Sequence, residues 1–459
     1  WGVTLTEKMG STCPKLPTLI LVQPAPYPYP ESASFALSEN FNRRVLANGR
    51  KVVQLTMGEA FCYPLYYYIP SLSKDLKYLV YHRAEKNEVQ LHRLDLGSGE
   101  SVQLTHGTAG KTGWDNWDDE AGSGILDHRS VLNVATGEVV YFAGESGKEV
   151  CSVNLETLVQ KSWFDLPDEY YAGGQNCISP DGKYLVYITN PVGSKYLEPL
   201  PDKPSKVMAF EFSSGEQTTL CEVFFHIHHV IPYGNEHFVV CHTPNGCGLL
   251  LTSLTEGGYT VLRAGDPGLL VKENDPKIGG HACHYLTTRH GISYEVIPFA
   301  TGVEQGEEYQ QAVGVSGGFF AGLYDPITRA RFEFPLPDHF QTTHMGWDPE
   351  GLRWFWEITP SWGTASPHKL VYLRRIDSSG KAEFMDLTSE WMNYGTKQKS
   401  HHHPQLTPDP NWLLFVAGDD ATETNHIFLL NVSDLPETDG VGPELLSPDG
   451  ANDIHELIG

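Results

Sequence analysis

From about residue 60 the chain repeats one local plan: a turn carrying Pro, Asp or Gly, an apolar strand, a variable stretch, a second strand, a glycine turn and a closing strand. The plan is clearest in ISPDGKYLVYIT at 178–189, followed by KVMAFEFSSGEQTTL at 206–220. It recurs in SKDLKYLVYH at 73–82, followed by QLHRLDLGSGESVQLT at 90–105. Further units start at VLNVATGEVVYFAG (131–144), VIPYGNEHFVVCH (230–242), RHGISYEVIPF (289–299), GWDPEGLRWFWEI (346–358) and LTPDPNWLLFVAG (406–418). Each spans about 45 to 60 residues and holds about four strands, too little to bury its own apolar faces, so the units must stack on one another. About seven units fit the chain, which predicts an all-β, seven-bladed propeller.

The last unit ends near HIFLLNVSD at 426–434 and lacks a clear outer strand, while GRKVVQLT at 49–56 resembles ESVQLT, the closing strand of the first unit. The N-terminal strand is therefore expected to join the C-terminal blade and close the ring, removing an edge that would otherwise pair with other chains. This gives three regions: an extended, proline-fixed segment over 1–45, with PAPYPYP at 24–30, packed on the propeller; the propeller itself over 46–435; and an irregular tail over 436–459. Residues 388–394 are the one stretch with a short helical period.

Composition agrees and excludes some partners. The 45 Gly and 31 Pro are scattered, as tight turns between short strands require. A formal charge of −25 argues against a nucleic-acid partner. No apolar run approaches the roughly 20 residues that span a bilayer, so no membrane partner is expected. An acidic substrate would need a local cation: a bound metal, an arginine or a ring of histidines. The 8 cysteines show no CxxC spacing, and Cys177, Cys221 and Cys241 lie in apolar strand contexts, which reads as reduced core thiols. A cytoplasmic location is expected, with N-terminal processing left open by the first residue, Trp1. The oligomeric state is not legible.

The stretch 398–411, QKSHHHPQLTPDPN, concentrates metal-capable groups ahead of a strand. Read as a strand, it places His401 and His403 on one face and His402 on the other, with Gln398 offering an amide oxygen from the preceding loop. Such donors suit a borderline divalent ion such as Mn²⁺, Zn²⁺ or Fe²⁺. Other histidines also fall just before inner strands: His226, His228 and His229, then His281 and His284, then His344. One histidine in such a place is more often a hydrogen-bonded structural residue than a ligand. Four consecutive units with imidazoles at equivalent places point instead to one shared site at the mouth of the central channel.

The residues here resemble the oligogalacturonate lyases, seven-bladed propeller enzymes that cleave short pectic oligosaccharides by β-elimination. The likeness rests on the spacing of Gln398, His401, His403, Pro404, Thr407 and Pro408, and on the Thr-His-Met segment around His344. CYPLYYYIPSLSKDLKYLVY at 62–81 and VIPYGNEHFVVCH at 230–242 extend it more weakly. The resemblance implies that His344, Gln398, His401 and His403 hold Mn²⁺. It implies that His284, seven residues before Gly291, is the Brønsted base, with His281 second. It also implies an arginine shortly after Cys241-His242, where this chain reads TPNGCGLLLTSL; Arg289, or His226, His228 and His229, would then take its place. Trp347 and the aromatic segment at 114–117 are candidate sugar-stacking surfaces. The expected activity is metal-dependent cleavage of short uronic-acid oligosaccharides. The alternatives are a metal-dependent hydrolase or isomerase acting on another acidic sugar, and a propeller that only binds a partner.

Overall fold

The computed structural model describes residues 27–438 except 31–32, 87, 108–122, 127, 145–146, 195–199, 201, 225, 243–248, 264–277, 289–290, 301–319, 326–330, 338–341, 348–352, 360–363, 378–380 and 396. Among them the chain forms seven small sheets, antiparallel apart from Ser123–Gly124 pairing parallel to Glu88–Asp95, and no α-helix. The first blade is Phe61–Pro64, Tyr78–Glu85, Glu88–Asp95 and Ser101–Gln103. The second is Val131–Asn133, Glu138–Ala143, Glu149–Asn154 and Gln160–Asp165. In the third, Tyr170–Ala172 and Cys177–Ile178 both pair with Tyr184–Pro191, followed by Ser205–Glu211 and Gln217–Val223.

The fourth blade opens on Ile227–Tyr233, the fifth on Ile278–Thr288 and the sixth on Thr342–Trp347. The seventh runs outward from Gln405–Leu406 through Trp412–Asp419 and Thr424–Asn431. Its outer strands come from the other end of the chain: Lys51–Gln54 pairs with Thr424–Asn431, and Asn42–Val45 then adds to Lys51–Gln54. The predicted closure is present, with one strand more than expected. Residues 388–394 differ from the helical expectation, because Trp391–Asn393 is a strand on Ser366–His368, held by sheet pairing that its local period does not show.

The repeated turn has a chemical cause. In the first blade Ser73 Oγ donates to Asp75 Oδ1 (2.7 Å), which also accepts from Lys77 N, while Ser73 Oγ accepts from Tyr78 N. Ser179, Asp181, Lys183 and Tyr184 repeat this in the third blade, with Gly182 at φ 77° completing the reversal. The strand that follows each turn is sandwiched between neighbouring blades and so reads as a continuous apolar run: every residue of Leu185–Pro191 and Leu413–Gly418 is buried. Outer strands such as Gln160–Asp165 are exposed or half-buried. Fully burying one such Leu, Ile, Val or Phe contributes about 1.5–3 kcal/mol, so blade-to-blade packing is the main term holding the ring.

The N-terminal segment packs on this ring where it is described, Tyr29 donating to Leu72 O (2.7 Å) and Phe35 N to Asp409 Oδ2 (3.3 Å). Cys62, Cys151, Cys177 and Cys221 are buried free thiols, and burial pushes Cys62, Cys151 and Cys221 up to about 12. The side chain of Cys241 lies outside the described residues. Among the described residues no helix is long and apolar enough to cross a membrane.

Candidate metal centre

Innermost strands of a propeller face its channel, and three consecutive ones are irregular at their histidines. Register slips between Ile227 and His229 in the fourth blade, between Cys283 and Leu286 in the fifth, and between Thr342 and Met345 in the sixth. His228, His284 and His344 sit at these three places. Bulges of this kind re-aim side chains and gather next to functional sites.

The fourth contribution comes from the seventh blade by a different route. Lys397–Ser400 is a turn of 3-10 helix, and only Gln405–Leu406 is paired, so 401–404 is not a strand and strict alternation does not apply. Pro404 supplies no N–H to a ladder, and His403 turns the chain with φ 44°, a left-handed conformation uncommon for a residue with a side chain. Gln405 pins the loop to the first blade, its Nε2 donating to Tyr66 O (2.7 Å) and Ile69 O (2.8 Å). His401 and His403 still meet His344, by loop geometry rather than by period. Ring centroids are 4.3 Å apart for His344 and His403, 4.9 Å for His344 and His401, and 5.8 Å for His401 and His403. Three imidazoles sharing one ion at ~2.1 Å hold their ring centres roughly 4.5–5.5 Å apart; the His344–His401 pair lies within that range and the other two depart from it by a few tenths of an ångström. All three are fully buried.

His402 faces away from this group. Its ring Nδ1 contacts Val416 O and its ring meets Phe415 and His368 in T-shaped contacts, inside the blade. Burial lowers it to about 4, so it is neutral. The side chain of Gln398 lies outside the described residues, although its backbone belongs to the turn leading into His401.

What the sequence reading missed is the group that organises these rings. Glu357, in the second strand of the sixth blade (Trp354–Ile358), is completely buried. Its Oε1 accepts from His402 N (2.8 Å), His401 Nδ1 (3.2 Å) and His368 Nδ1, and its Oε2 from His344 Nδ1 (3.3 Å). Burial alone would raise this carboxyl, but the charges of His401 and His368 and the hydrogen bonds from His344 and His368 outweigh it and hold the group well below the usual carboxylate range. His368 is pulled both ways, burial lowering it and Glu357 raising it, and burial wins. The arrangement is thus one buried carboxylate accepting from three imidazoles and a backbone N–H.

Donor atoms of His344, Glu357 and His401 lie within 4.8 Å of one another, close enough for all three to bind one ion. The hydrogen bonds favour a different division of labour. With Nδ1–H of His344 and His401 committed to Glu357, each Nε2 carries the lone pair, and Glu357 acts as the outer carboxylate that fixes tautomer and ring orientation. Tyr66, 1% exposed, places its Oη 3.3 Å from His344 Nε2, and with Nδ1–H given to Glu357 the phenol is the donor of that pair.

Tyr66 also links the centre to the rest of the mouth. Its ring lies 5.2 Å from His403, 5.7 Å from His229 and 5.9 Å from His128, and His128 is 6.0 Å from His403. His229 is buried and His228 half-buried. His226 is an inter-blade anchor: its Nε2 meets Tyr171 Oη (2.9 Å) and Asn190 Nδ2 (3.1 Å), and burial followed by the charge of Arg129 lowers it to about 3. His281 and His284 lie on the innermost strand of the fifth blade and Trp347 ends that of the sixth, with side chains outside the described residues. Arg289 and the aromatic segment at 114–117 lie wholly outside them. The signals for the missed residues were an acid inside the apolar run WFWEI, and YYY at 66–68 directly after an inner strand.

No protein-family profile matches the chain. Oligogalacturonate lyase from Dickeya dadantii (strain 3937) is 21% identical over 411 residues, 84% of this chain and 94% of that protein. The crystal structure of an oligogalacturonate lyase from Vibrio parahaemolyticus superposes with a TM-score of 0.62 at 16% identity, covering 88% of this chain and 100% of that one. An oligogalacturonate lyase in complex with manganese gives 0.63 at 18%, covering 88% and 99%. The chain is similar to these enzymes from end to end of their fold, which supports the resemblance drawn from the histidine motifs and the seven-bladed architecture.

Proposed function

We propose that this protein is a divalent-metal-dependent lyase that cleaves short uronic-acid oligosaccharides, of the oligogalacturonate type, by β-elimination. The observation that carries the reading is the convergence of His344, His401 and His403, with Glu357 holding two of them by Nδ1. The relatives named above, one of them a manganese complex, supply the reaction class. Gln398 would complete the protein ligands, and a Mn²⁺ ion held there would act as a Lewis acid on the substrate carboxylate, easing removal of the neighbouring proton.

The chain's own groups account for the remaining steps. Glu357 keeps the ligand imidazoles in one tautomer, so no reorganisation is needed when the anionic substrate arrives. His284, on a bulge of the neighbouring inner strand, takes the C5 proton, with His281 as the second candidate; a neutral imidazole of pKa about 6.5 suits this task at mild pH. The electron pair left at C5 forms the C4–C5 double bond as the C4–O bond breaks, and the departing oxygen takes a proton from water or from an imidazole of the 226–229 cluster. The proposed ligand histidines and Tyr66 are buried, which would keep bulk water from the protein side of the ion. Trp347 remains the candidate surface for a sugar face.

The test is to incubate protein with digalacturonate after chelation and again with added Mn²⁺, following ultraviolet absorbance of the unsaturated product. Absorbance should rise only with metal. If no uronide gives a rise under either condition, the reading is wrong.

A further inference from the structure

We propose that His368 is a positioning residue of the metal centre: its imidazole anchors Glu357 from the far side, so that the carboxylate is already aimed at His344 and His401 when an ion arrives. The inference rests on the metal-binding part of the lyase reading above and not on the reaction.

His368 lies in the third strand of the sixth blade, Ser366–Ile376, and is fully buried. An ionised carboxylate can only accept, so the ring nitrogen that meets Glu357 Oε1, Nδ1, carries the proton. The other nitrogen, Nε2, faces two hydroxyls that can donate to it, Ser366 Oγ at 3.0 Å and Thr359 Oγ1 at 3.1 Å. His368 therefore shares the tautomer of His344 and His401, but its lone pair is taken up by hydroxyls of its own blade. It supports the site without being a ligand.

The contacts on Glu357 are unequal. Oε1 takes His368 Nδ1, His402 N (2.8 Å) and His401 Nδ1 (3.2 Å), while Oε2 takes only His344 Nδ1 (3.3 Å). The two closest donors are the ones that do not face the ion, and the two proposed ligands sit at the longer distances. The direction of the carboxylate is thus set by His368 and the His402 backbone, and the ligand imidazoles align to it. His368 is itself tied to the ligand loop: Ser366–His368 pairs with Trp391–Asn393, and Asn393 Nδ2 donates to Ser400 O (3.2 Å), one residue before His401. The extra strand of the sixth blade therefore joins the anchor to the loop it serves.

The order hydroxyl, imidazole, carboxylate in Ser366, His368 and Glu357 is also that of a hydrolase triad. Here the serine is 5% exposed, its Oγ also donates to Thr364 O (3.2 Å), and the carboxylate is shared with two proposed metal ligands. These features assign the chain of hydrogen bonds to the metal centre rather than to a nucleophile.

The experiment measures Mn²⁺ affinity by competition with a chelating dye, and melting of the metal-free protein, for wild type, His368→Asn and His368→Leu. The Asn amide nitrogen can stand near the place of Nδ1 and give Glu357 the same hydrogen bond, whereas Leu fills similar space and gives none. His368→Leu should weaken Mn²⁺ binding about 10-fold or more, as loss of outer support for metal ligands does. His368→Asn should keep wild-type affinity although it lowers the melting temperature, because it loses the ring contacts with His401 and His402. A merely structural role would instead make affinity follow melting temperature in both variants, and that result, or wild-type affinity in His368→Leu, overturns the proposal. Should His368→Leu fail to fold, His368→Gln decides: its amide reaches the place of Nε2 and gives Glu357 no hydrogen bond, so wild-type affinity there overturns the proposal. Wild type that binds Mn²⁺ but cleaves no uronide would sink the lyase reading and leave His368 to be judged by the same affinities; wild type that binds no Mn²⁺ would overturn both.

Discussion

Replacing Glu357 with Gln tests how the centre is organised. The amide keeps the side chain's shape and one acceptor, which can remain with His402 N, His401 Nδ1 and His368 Nδ1, the partners of Oε1. Its NH2 then stands where Oε2 accepts from His344 Nδ1 at 3.3 Å, so two donors face each other. His344 must shift its proton to Nε2, the atom that would otherwise present its lone pair to the ion. Losing outer carboxylate support of this kind weakens metal affinity about 10- to 100-fold, or about 1.4–2.7 kcal/mol. The metal-free fold should change less, by about 1–2 kcal/mol, because the loss of charged hydrogen bonds is partly offset by no longer burying a charge. Competition titration of Mn²⁺ against a chelating dye gives the affinity, and denaturant unfolding of the metal-free protein gives the stability. Wild-type affinity in Glu357→Gln would refute the buttressing role and point to direct ligation or to no involvement at all.

Two further outcomes follow from the same geometry. Burial holds His402 at about 4 and His226 at about 3, whereas histidines of the unfolded chain protonate below about 6.5. The unfolded state therefore binds more protons, so metal-free stability should fall as pH drops from about 6.5 toward 4, with the depressed Glu357 carboxyl adding loss of the same sign below about 4.5. A urea midpoint that stays level across that range would contradict the buried-neutral assignment. Gly346 is the second site: a Cβ there would stand 2.7 Å from Pro404 O and 3.1 Å from Pro404 C, and this contact sets the distance between the strand bearing His344 and the loop bearing His403. Gly346→Ala should cost about 1–3 kcal/mol by overpacking and weaken metal binding as well; unchanged melting temperature and affinity would show that the two elements are not held by that contact.

The propeller was legible because its cause is local. Ser-x-Asp turns such as 179–181 and apolar runs such as LLFVAG repeat with enough regularity to give the blade number and the closing strand at 51–54. Asn42–Val45 escaped because a short outer strand with every residue exposed has no apolar signature. The segment 401–403 was read as a strand, yet its inner strand is two residues long and the proline after His403 forbids a longer one. The convergence of His344, His401 and His403 survived that error because motif spacing records which residues meet, not how. Glu357 reaches the site from the strand behind His344 and Tyr66 from the first blade, and the local signals for them were slight: a charged residue within the buried run WFWEI and the YYY at 66–68.

Anomalous diffraction from crystals grown with Mn²⁺ tests the central claim most directly. The account predicts a single strong peak within coordination distance of Nε2 of His344 and His401 and of the His403 ring, with Glu357 one shell further out. A peak bonded to the Glu357 carboxylate, or located away from these histidines, would contradict it.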